Sequence, residues 1–253
     1  MKVTIITCTW NSALTLGDTL RSIKAQDHPE IEQVFVDGGS TDGTLQLIAE
    51  QCPGARVLNN VRGGISRAMN AGVEVAAGEI VAHLHSDDYY SAPNVVATAV
   101  SAFDADPGLQ WLHGRITVLR DGVLQPPDGA MRPYSFERYA RGAASVPHPA
   151  VFIRTTAFRE FGGFDQGLKY AMDIDLWLRM GFKYQPLQID RPFAVFREHA
   201  GSLSTANVLA ARAEEWQVRR SHAQHAPLGT LVYALRHLRR TARLKRAIAR
   251  ATS

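Results

Sequence analysis

Along the first hundred positions, apolar residues fall into short runs separated by polar and glycine-bearing breaks. Val3-Thr4-Ile5-Ile6-Thr7-Cys8 predicts a strand, and Leu16, Leu20 and Ile23 recur behind it at helical spacing, with Asn11-Ser12 read as the helix cap. Gln33-Val34-Phe35-Val36 predicts a second strand, broken by Gly38-Gly39. Ser40-Thr41-Asp42 then opens a helix that turns Leu45, Ile48 and Ala49 inward. Arg56-Val57-Leu58 is a weaker third strand followed by a helix from Ile65 to Ala77. The run from Glu79 to Leu84 is a fourth strand, followed by Asp87-Asp88 and a helix beginning near Pro93. Strands alternating with helices predict an α/β fold with a mainly parallel sheet flanked by helices on both faces.

The middle of the chain is less periodic. Gln110 to Leu119 predicts a strand, Asp121-Gly122 a turn, and Gln125 to Arg132 a loop rich in Pro and Gly. His148 to Arg154 and Gln188 to Arg197 read as strands, and Ala171 to Met180 as a helix with Leu176 and Met180 on one side. The expected organisation is one α/β domain over residues 1–205 and a helical, basic C-terminal extension over 206–253. A chain of 253 residues is long enough for one sizeable core.

Charge sharpens that division. From Arg219 onward there are nine Lys/Arg and no Asp or Glu, which leaves 19 basic against 24 acidic residues in the preceding part. The tail from about Leu228 to Arg250 is expected to form an amphipathic helix. Leu231, Leu235, Leu238 and Ala242 line one side, Leu244 and Ile248 widen it, and the arginines gather opposite; the helix would lie on an anionic membrane surface. The tail lacks interleaved aromatics and the body is acidic, which argues against nucleic acid as a partner. No apolar run has the length of a membrane span, and the start lacks the long apolar region of a signal peptide. Cys8 and Cys52 have neither zinc spacing nor a disulfide framework, so a reducing cytoplasm is expected.

Ligands of an open parallel sheet bind beyond the carboxyl ends of its strands. Three polar groups stand there: Thr9-Trp10-Asn11, Asp37-Gly38-Gly39 and Asp87-Asp88. Asp37 fits either a base or ribose contact or a plain turn and helix cap. Asp87-Asp88 fits a divalent ion completed by phosphate oxygens and water, or an acidic cluster at a helix start. Asp173 and Asp175 open an amphipathic helix, Arg197-Glu198-His199 fits a diphosphate, a metal or plain surface, and Arg62-Gly63-Gly64 fits a phosphate loop or an ordinary turn.

Together these pieces resemble the family-2 inverting glycosyltransferases, which have a GT-A fold, across about residues 1 to 205. The resemblance is carried by Ile6 to Asn11, Val36 to Thr44, Gly64 to Gly72, Gly78-Glu79-Ile80, Leu84-His85-Ser86-Asp87-Asp88, Gly162-Gly163-Phe164-Asp165, Met172 to Arg179 and Arg197-Glu198-His199. It implies a Rossmann-like sheet and transfer of a sugar from a nucleoside diphosphate to an acceptor hydroxyl. Thr9, Trp10, Asp37 and Asp87 would bind the nucleotide sugar, Asp87, Asp88 and His199 a divalent cation (Mn²⁺ or Mg²⁺), and Asp173 would be the general base. Three positions depart from the family pattern: His85 stands where many members have the first Asp of the metal motif, Met172 where an acidic residue usually precedes the base, and Arg62 at an often acidic position.

The implied donor is a UDP-sugar, with GDP and dTDP sugars as alternatives, and the implied acceptor a glycan or lipid-linked glycan for surface polysaccharide. The enzyme would work at the cytoplasmic face of the cell membrane. A non-catalytic nucleotide-sugar-binding or partner-binding module is the rival reading, separated by whether Asp173 is needed for turnover.

Overall fold

The computed structural model describes residues 1–198 and 207–251. Among the described residues nine strands form one sheet: β1 (Val3–Thr9), β2 (Ile31–Asp37), β3 (Arg56–Leu58), β4 (Ile80–His83), β5 (Tyr89–Tyr90), β6 (Trp111–Arg120), β7 (Val123–Gln125), β8 (Val151–Arg154) and β9 (Leu187–Glu198). Their order is β3-β2-β1-β4-β8-β6-β9-β5, with β7 paired to the outer part of β6. β3, β2, β1 and β4 are all parallel, as the alternating pattern predicts. Beyond β4 the sheet is mixed: β8 runs antiparallel to both β4 and β6, β9 is parallel to β6, and β5 and β7 are antiparallel to their partners.

Every residue of β1 and β4 is buried, the pattern of strands covered on both faces. On one face Val3, Ile5, Ile80, Ala82 and Phe152 pack with α4 (Val95–Ala105), while Phe35 packs with α1 (Leu16–Lys24) and α2 (Thr44–Gln51). On the other face Ile6, Cys8, Val34 and Val36 meet α3 (Ile65–Val75), α6 (Thr155–Glu160) and α7 (Met172–Lys183). Gly72 of α3 lets that helix lie close against the sheet, because a Cβ there would stand 2.5 Å from Ile6 Cγ2. In α2, Ile48 is buried and Leu45 and Leu47 half-buried, but Ala49 faces solvent, a rotation from the expected face.

Two short helices complete the body, α5 (Phe136–Ala140) and the 3-10 turn His148–Ala150 that leads into β8. The C-terminal segment forms a hairpin of α8 (Val208–Ser221) and α9 (Pro227–Ala251) that packs on α5 and α7. Val218 and Ala226 join the same apolar cluster as α3 and α7, and Tyr233 is buried.

The amphipathicity of α9 runs opposite to that of an ordinary docked helix. It meets the body through Thr230, Tyr233 and Arg236, whose guanidinium donates to the Arg141 carbonyl. Leu228, Leu231, Val232, Leu235 and Leu238 face solvent. Leu244 is half-buried and at 100° per residue stands on the Tyr233 side, so it does not widen the leucine stripe. Arg239, Arg243 and Arg246 flank that stripe rather than opposing it, and all three are exposed. Among the described residues no helix is long and apolar enough to cross a membrane.

Candidate active site

The carboxyl ends of β1, β2 and β4 open into a cleft of about 1110 Å³. Its lining includes Thr9, Trp10, Arg62, Gly63, His85, Asp87, Asp88, His148, Lys169, Tyr170 and Asp173. The cleft therefore draws on loops spread over more than 160 positions of sequence, and each is fixed by identifiable bonds.

The loops after β1 and β2 are laced together. Asn11 N–H donates to Ser40 Oγ at 2.8 Å, and Asn11 Oδ1 accepts the Thr41 N–H at 2.9 Å. Ser12 N–H donates to Thr44 Oγ1 at 2.8 Å. Asn11 and Ser12 thus join two loops, whereas the sequence pattern had them capping α1 with their side chains. That helix begins at Leu16, after a turn in which the Thr15 and Leu16 N–H groups donate to the Ser12 carbonyl. Trp10 projects from this frame into the cleft mouth and is 71% exposed.

Asp37 organises the frame from beneath. Its Oδ1 accepts from Thr9 Oγ1 (2.9 Å) and Ser40 Oγ (2.5 Å), and its Oδ2 from the N–H groups of Gly39 (2.7 Å) and Ser40 (2.8 Å). Burial pushes this carboxyl up, but the Ser40, Gly39 and Thr9 donors outweigh it and hold it below the usual carboxylate range. Gly39 adopts φ +100°, which favours glycine at this turn. Both oxygens of Asp37 are spent on the loop, and Asp37 is fully buried and is not among the residues lining the cleft. Thr9, Trp10, Gly38 and the Arg62-Gly63-Gly64 loop line the cleft on this side.

Asp87 and Asp88 sit in the turn between β4 and β5, and both line the cleft. Asp88 is the more buried; its Oδ1 accepts the Arg197 N–H at 3.0 Å. Burial, followed by the neighbouring Asp87 carboxylate, raises its carboxyl well above the usual range against the pull of Arg197. The Arg197 guanidinium donates to the Asp87 carbonyl at 3.1 Å and pairs with Asp18 at 2.5 Å, so the end of β9 braces the acidic turn. His199 lies outside the described residues.

A pair of stacked imidazoles closes the floor beside the acidic turn. His85 and His148 lie 5.0 Å apart with their planes 8° from parallel. Burial lowers the basicity of both, with the other imidazoles adding to the effect at His148. Nε2 of His148 is buried with no hydrogen-bond partner among the described residues. Sequence reasoning treated His148 only as the start of a strand; no spacing or neighbouring residue marks it as a cleft residue.

Asp173 lines the same cleft, in the first turn of α7. Burial pushes its carboxyl up to about 6, opposed by the Ile174 N–H, which donates to Oδ1 at 2.8 Å. Glu215 pushes it further up and Arg219 pulls it down. The next carboxylate on the helix, Asp175, has a different role: it is tied to Arg179 at 2.7 Å and to His222 Nε2 at 2.9 Å.

The residue set also bears on a divalent ion. Among the described residues no group of three His, Cys, Asp or Glu side chains is arranged to hold one. Asp87 and Asp88 supply two carboxylates at the cleft, the second driven toward its neutral form by burial and then by the first. That is the donor set of an ion held by one or two carboxylates with the remaining oxygens from phosphate and water, as Mg²⁺-type sites are.

The chain matches the sequence profile of Glycosyl transferase family 2 over residues 4–164. It is 33% identical over 193 residues to an uncharacterized glycosyltransferase of Mycobacterium tuberculosis (strain H37Rv), covering 74% of this chain and 71% of that protein. Against chondroitin synthase of Pasteurella multocida the identity is 27% over 186 residues, 70% of this chain but 18% of that protein. Among solved structures, S. aureus TarS 1-349 in complex with UDP-GlcNAc superposes with a TM-score of 0.72 at 21% identity, over 89% of this chain and 66% of that one. The mannosyltransferase PcManGT from Pyrobaculum calidifontis, in complex with GDP-Man and Mn²⁺, gives 0.62 at 22% identity, over 100% and 81% of the two chains. At that level of identity the likeness carries the fold, and the family match carries the chemistry class. By both, the chain belongs to glycosyl transferase family 2 and is a glycosyltransferase with a GT-A fold.

Proposed function

We propose that this enzyme transfers a sugar with inversion from a nucleoside diphosphate to a hydroxyl of a glycan or lipid-linked glycan, in the assembly of surface polysaccharide. The carrying observation is that Asp173 and the Asp87-Asp88 turn line one cleft. The nucleotide lies along Thr9, Trp10 and Arg62, over the loop that Asp37 holds. Asp173 accepts the proton of the acceptor hydroxyl as the new C–O bond forms at the anomeric carbon. The bond to the diphosphate breaks on the opposite face and its electron pair leaves on the phosphate oxygen. A divalent cation held by Asp87, with Asp88 beside it, would supply Lewis-acid stabilisation of that leaving charge.

UDP-sugars are the first donors to try, since a UDP-GlcNAc complex is known for the TarS neighbour; the GDP-Man complex of PcManGT keeps GDP sugars in the set. Chondroitin synthase among the relatives supports a polysaccharide product. The test is Asp173→Asn in a donor screen with Mn²⁺ or EDTA. The amide keeps size and polarity but cannot take a proton at neutral pH, so turnover disappears while nucleotide binding persists. Turnover near wild type would return the chain to the non-catalytic binding module.

The division into a transferase domain at 1–205 and an extension at 206–253 is part of this reading, with the extension serving as a cytoplasmic-side membrane contact. Supporting it, α9 turns five apolar side chains to solvent while flanking them with arginines. Apolar burial and cationic attraction act together on an anionic leaflet, at about 1 kcal/mol for each basic residue near the surface. Co-sedimentation with phosphatidylglycerol vesicles, lost in Leu231→Ser/Leu235→Ser, checks it; equal pelleting of both proteins would remove the membrane role.

A further inference from the structure

The base stands at the start of a helix whose own sequence does not cap it. The residue before α7 is Ala171, with no side-chain hydrogen bond to give, and the first N–H groups of a helix lack intrahelical partners. One of them, the Ala171 N–H, is met from α8 together with the two amides that precede it. Glu214 Oε2 accepts the N–H groups of Tyr170 and Ala171, the latter at 2.7 Å, and its two oxygens share the Lys169 N–H at 3.0 and 3.1 Å. Three consecutive amides thus converge on one carboxylate. A negative group at this end of the helix also opposes the positive end of its dipole.

α8 grips the same turn at a second point. His222 Nε2 meets Asp175 Oδ1 at 2.9 Å, two residues beyond the base. Between these grips Arg219, 4% exposed, anchors α8 to the body: it donates to the carbonyls of Tyr139 and Ala140, pairs with Glu215 at 2.8 Å and lies over the rings of Tyr139 and Tyr233. The held segment is no bystander, since Lys169, Tyr170, Met172 and Asp173 all line the cleft.

We infer that Glu214 is a positioning residue for Asp173: its carboxylate fixes the 169–171 backbone and thereby the direction in which the base enters the cleft. The inference rests on Asp173 being the base. It also assigns the C-terminal extension a direct share in catalysis, independent of any membrane contact.

The test compares the full chain with Glu214→Gln and Glu214→Ala in two measurements. Hydrogen–deuterium exchange across residues 166–178 reads the backbone directly: exchange at 169–171 accelerates in both variants, more in Ala than in Gln, while β1 to β4 stay protected. Turnover is read as transfer to water from UDP-GlcNAc, UDP-glucose, GDP-mannose and dTDP-rhamnose. A displacement of the base by about 1 Å predicts a fall in kcat on the order of 100-fold in Glu214→Ala. Glu214→Gln falls less, because one of its two oxygens remains an acceptor. The Kd of the nucleotide and the KM of the donor are unchanged, a split that general unfolding would not produce. Unaltered exchange at 169–171 in both variants overturns the inference, as does normal turnover in Glu214→Ala when Asp173→Asn is dead. Normal turnover in Asp173→Asn instead removes the base reading and leaves the exchange result to stand as a structural cap. If Glu214→Ala does not fold, Glu214→Gln carries the same two readouts.

Discussion

The two walls of the cleft are held at different scales of the chain. The wall built from the loops after β1 and β2 is laced by bonds between successive strand-to-helix loops, such as Asn11 to Ser40 and Thr9 to Asp37, 28 to 30 residues apart and all within the first parallel strands. The wall that carries Asp173 is held from α8, 43 to 45 residues further along the chain, and α8 is in turn fastened to α5 about 80 residues before it. One wall closes on itself, while the other depends on the extension. Substitutions should therefore separate binding from turnover, according to which wall they touch.

Asp173→Asn tests the separation at its extreme. A general base is worth about 10³-fold in rate, so kcat should fall by that order while calorimetry finds the nucleotide Kd unchanged. A matched loss of affinity would mean that the two walls are not independent.

Asp37→Ala strikes the other wall. It strands the hydroxyls of Thr9 and Ser40 and the N–H groups of Gly39 and Ser40 in a buried loop. The expected cost is about 3 kcal/mol of stability by urea unfolding, since bonds to a charged acceptor are the stronger kind. Nucleotide affinity should fall with it, although Asp37 does not line the cleft. Asn, which keeps one acceptor oxygen, should fall between.

A pH series is the next smaller test. A base acts only when deprotonated, and burial raises the Asp173 carboxyl to about 6, with Glu215 adding to the rise and Arg219 opposing it. Turnover should climb roughly tenfold per pH unit below that value and level off above it, while nucleotide affinity keeps a different profile. An inflection near the ordinary Asp value would mean that the base is solvated during turnover.

The smallest expected change in stability is at the outer face of α9. Leu231 and Leu235 are 62% and 54% exposed, so Leu231→Ser/Leu235→Ser should alter unfolding free energy by no more than about 0.5 kcal/mol per site. Its effect should appear in vesicle binding alone.

The same contrast governs what was legible in the sequence. The parallel half was readable because each strand and its helix are local, with Val3 to Cys8 and Glu79 to Leu84 as unbroken apolar runs. The mixed half was not, because pairing β8 between β4 and β6 depends on contacts across some 40 to 70 residues that leave no periodic trace. Asp87 and Asp88 stand out in the sequence as paired acidic residues at a strand end, whereas Asp173 is singled out only by the family resemblance; all three line the cleft. Asp37 fits two readings in the sequence, a ligand contact or a turn, and its four bonds show how it holds the turn. Glu214 was missed for a general reason: it bonds to backbone N–H groups, which every sequence possesses, and its target runs from Lys169 to Ala171, the last of which carries no cap signal of its own.

Trp10 gives the cleft a built-in optical reporter. Of the four tryptophans, Trp111 and Trp177 are buried and stacked on one another and Trp216 is partly covered, so the water-exposed ring at the cleft mouth is expected to supply the red edge of the emission. On the proposed placement of the nucleotide along Trp10, binding is expected to quench that edge and leave the blue edge in place. Unlabelled protein can thus report nucleotide occupancy in real time, before any acceptor is identified.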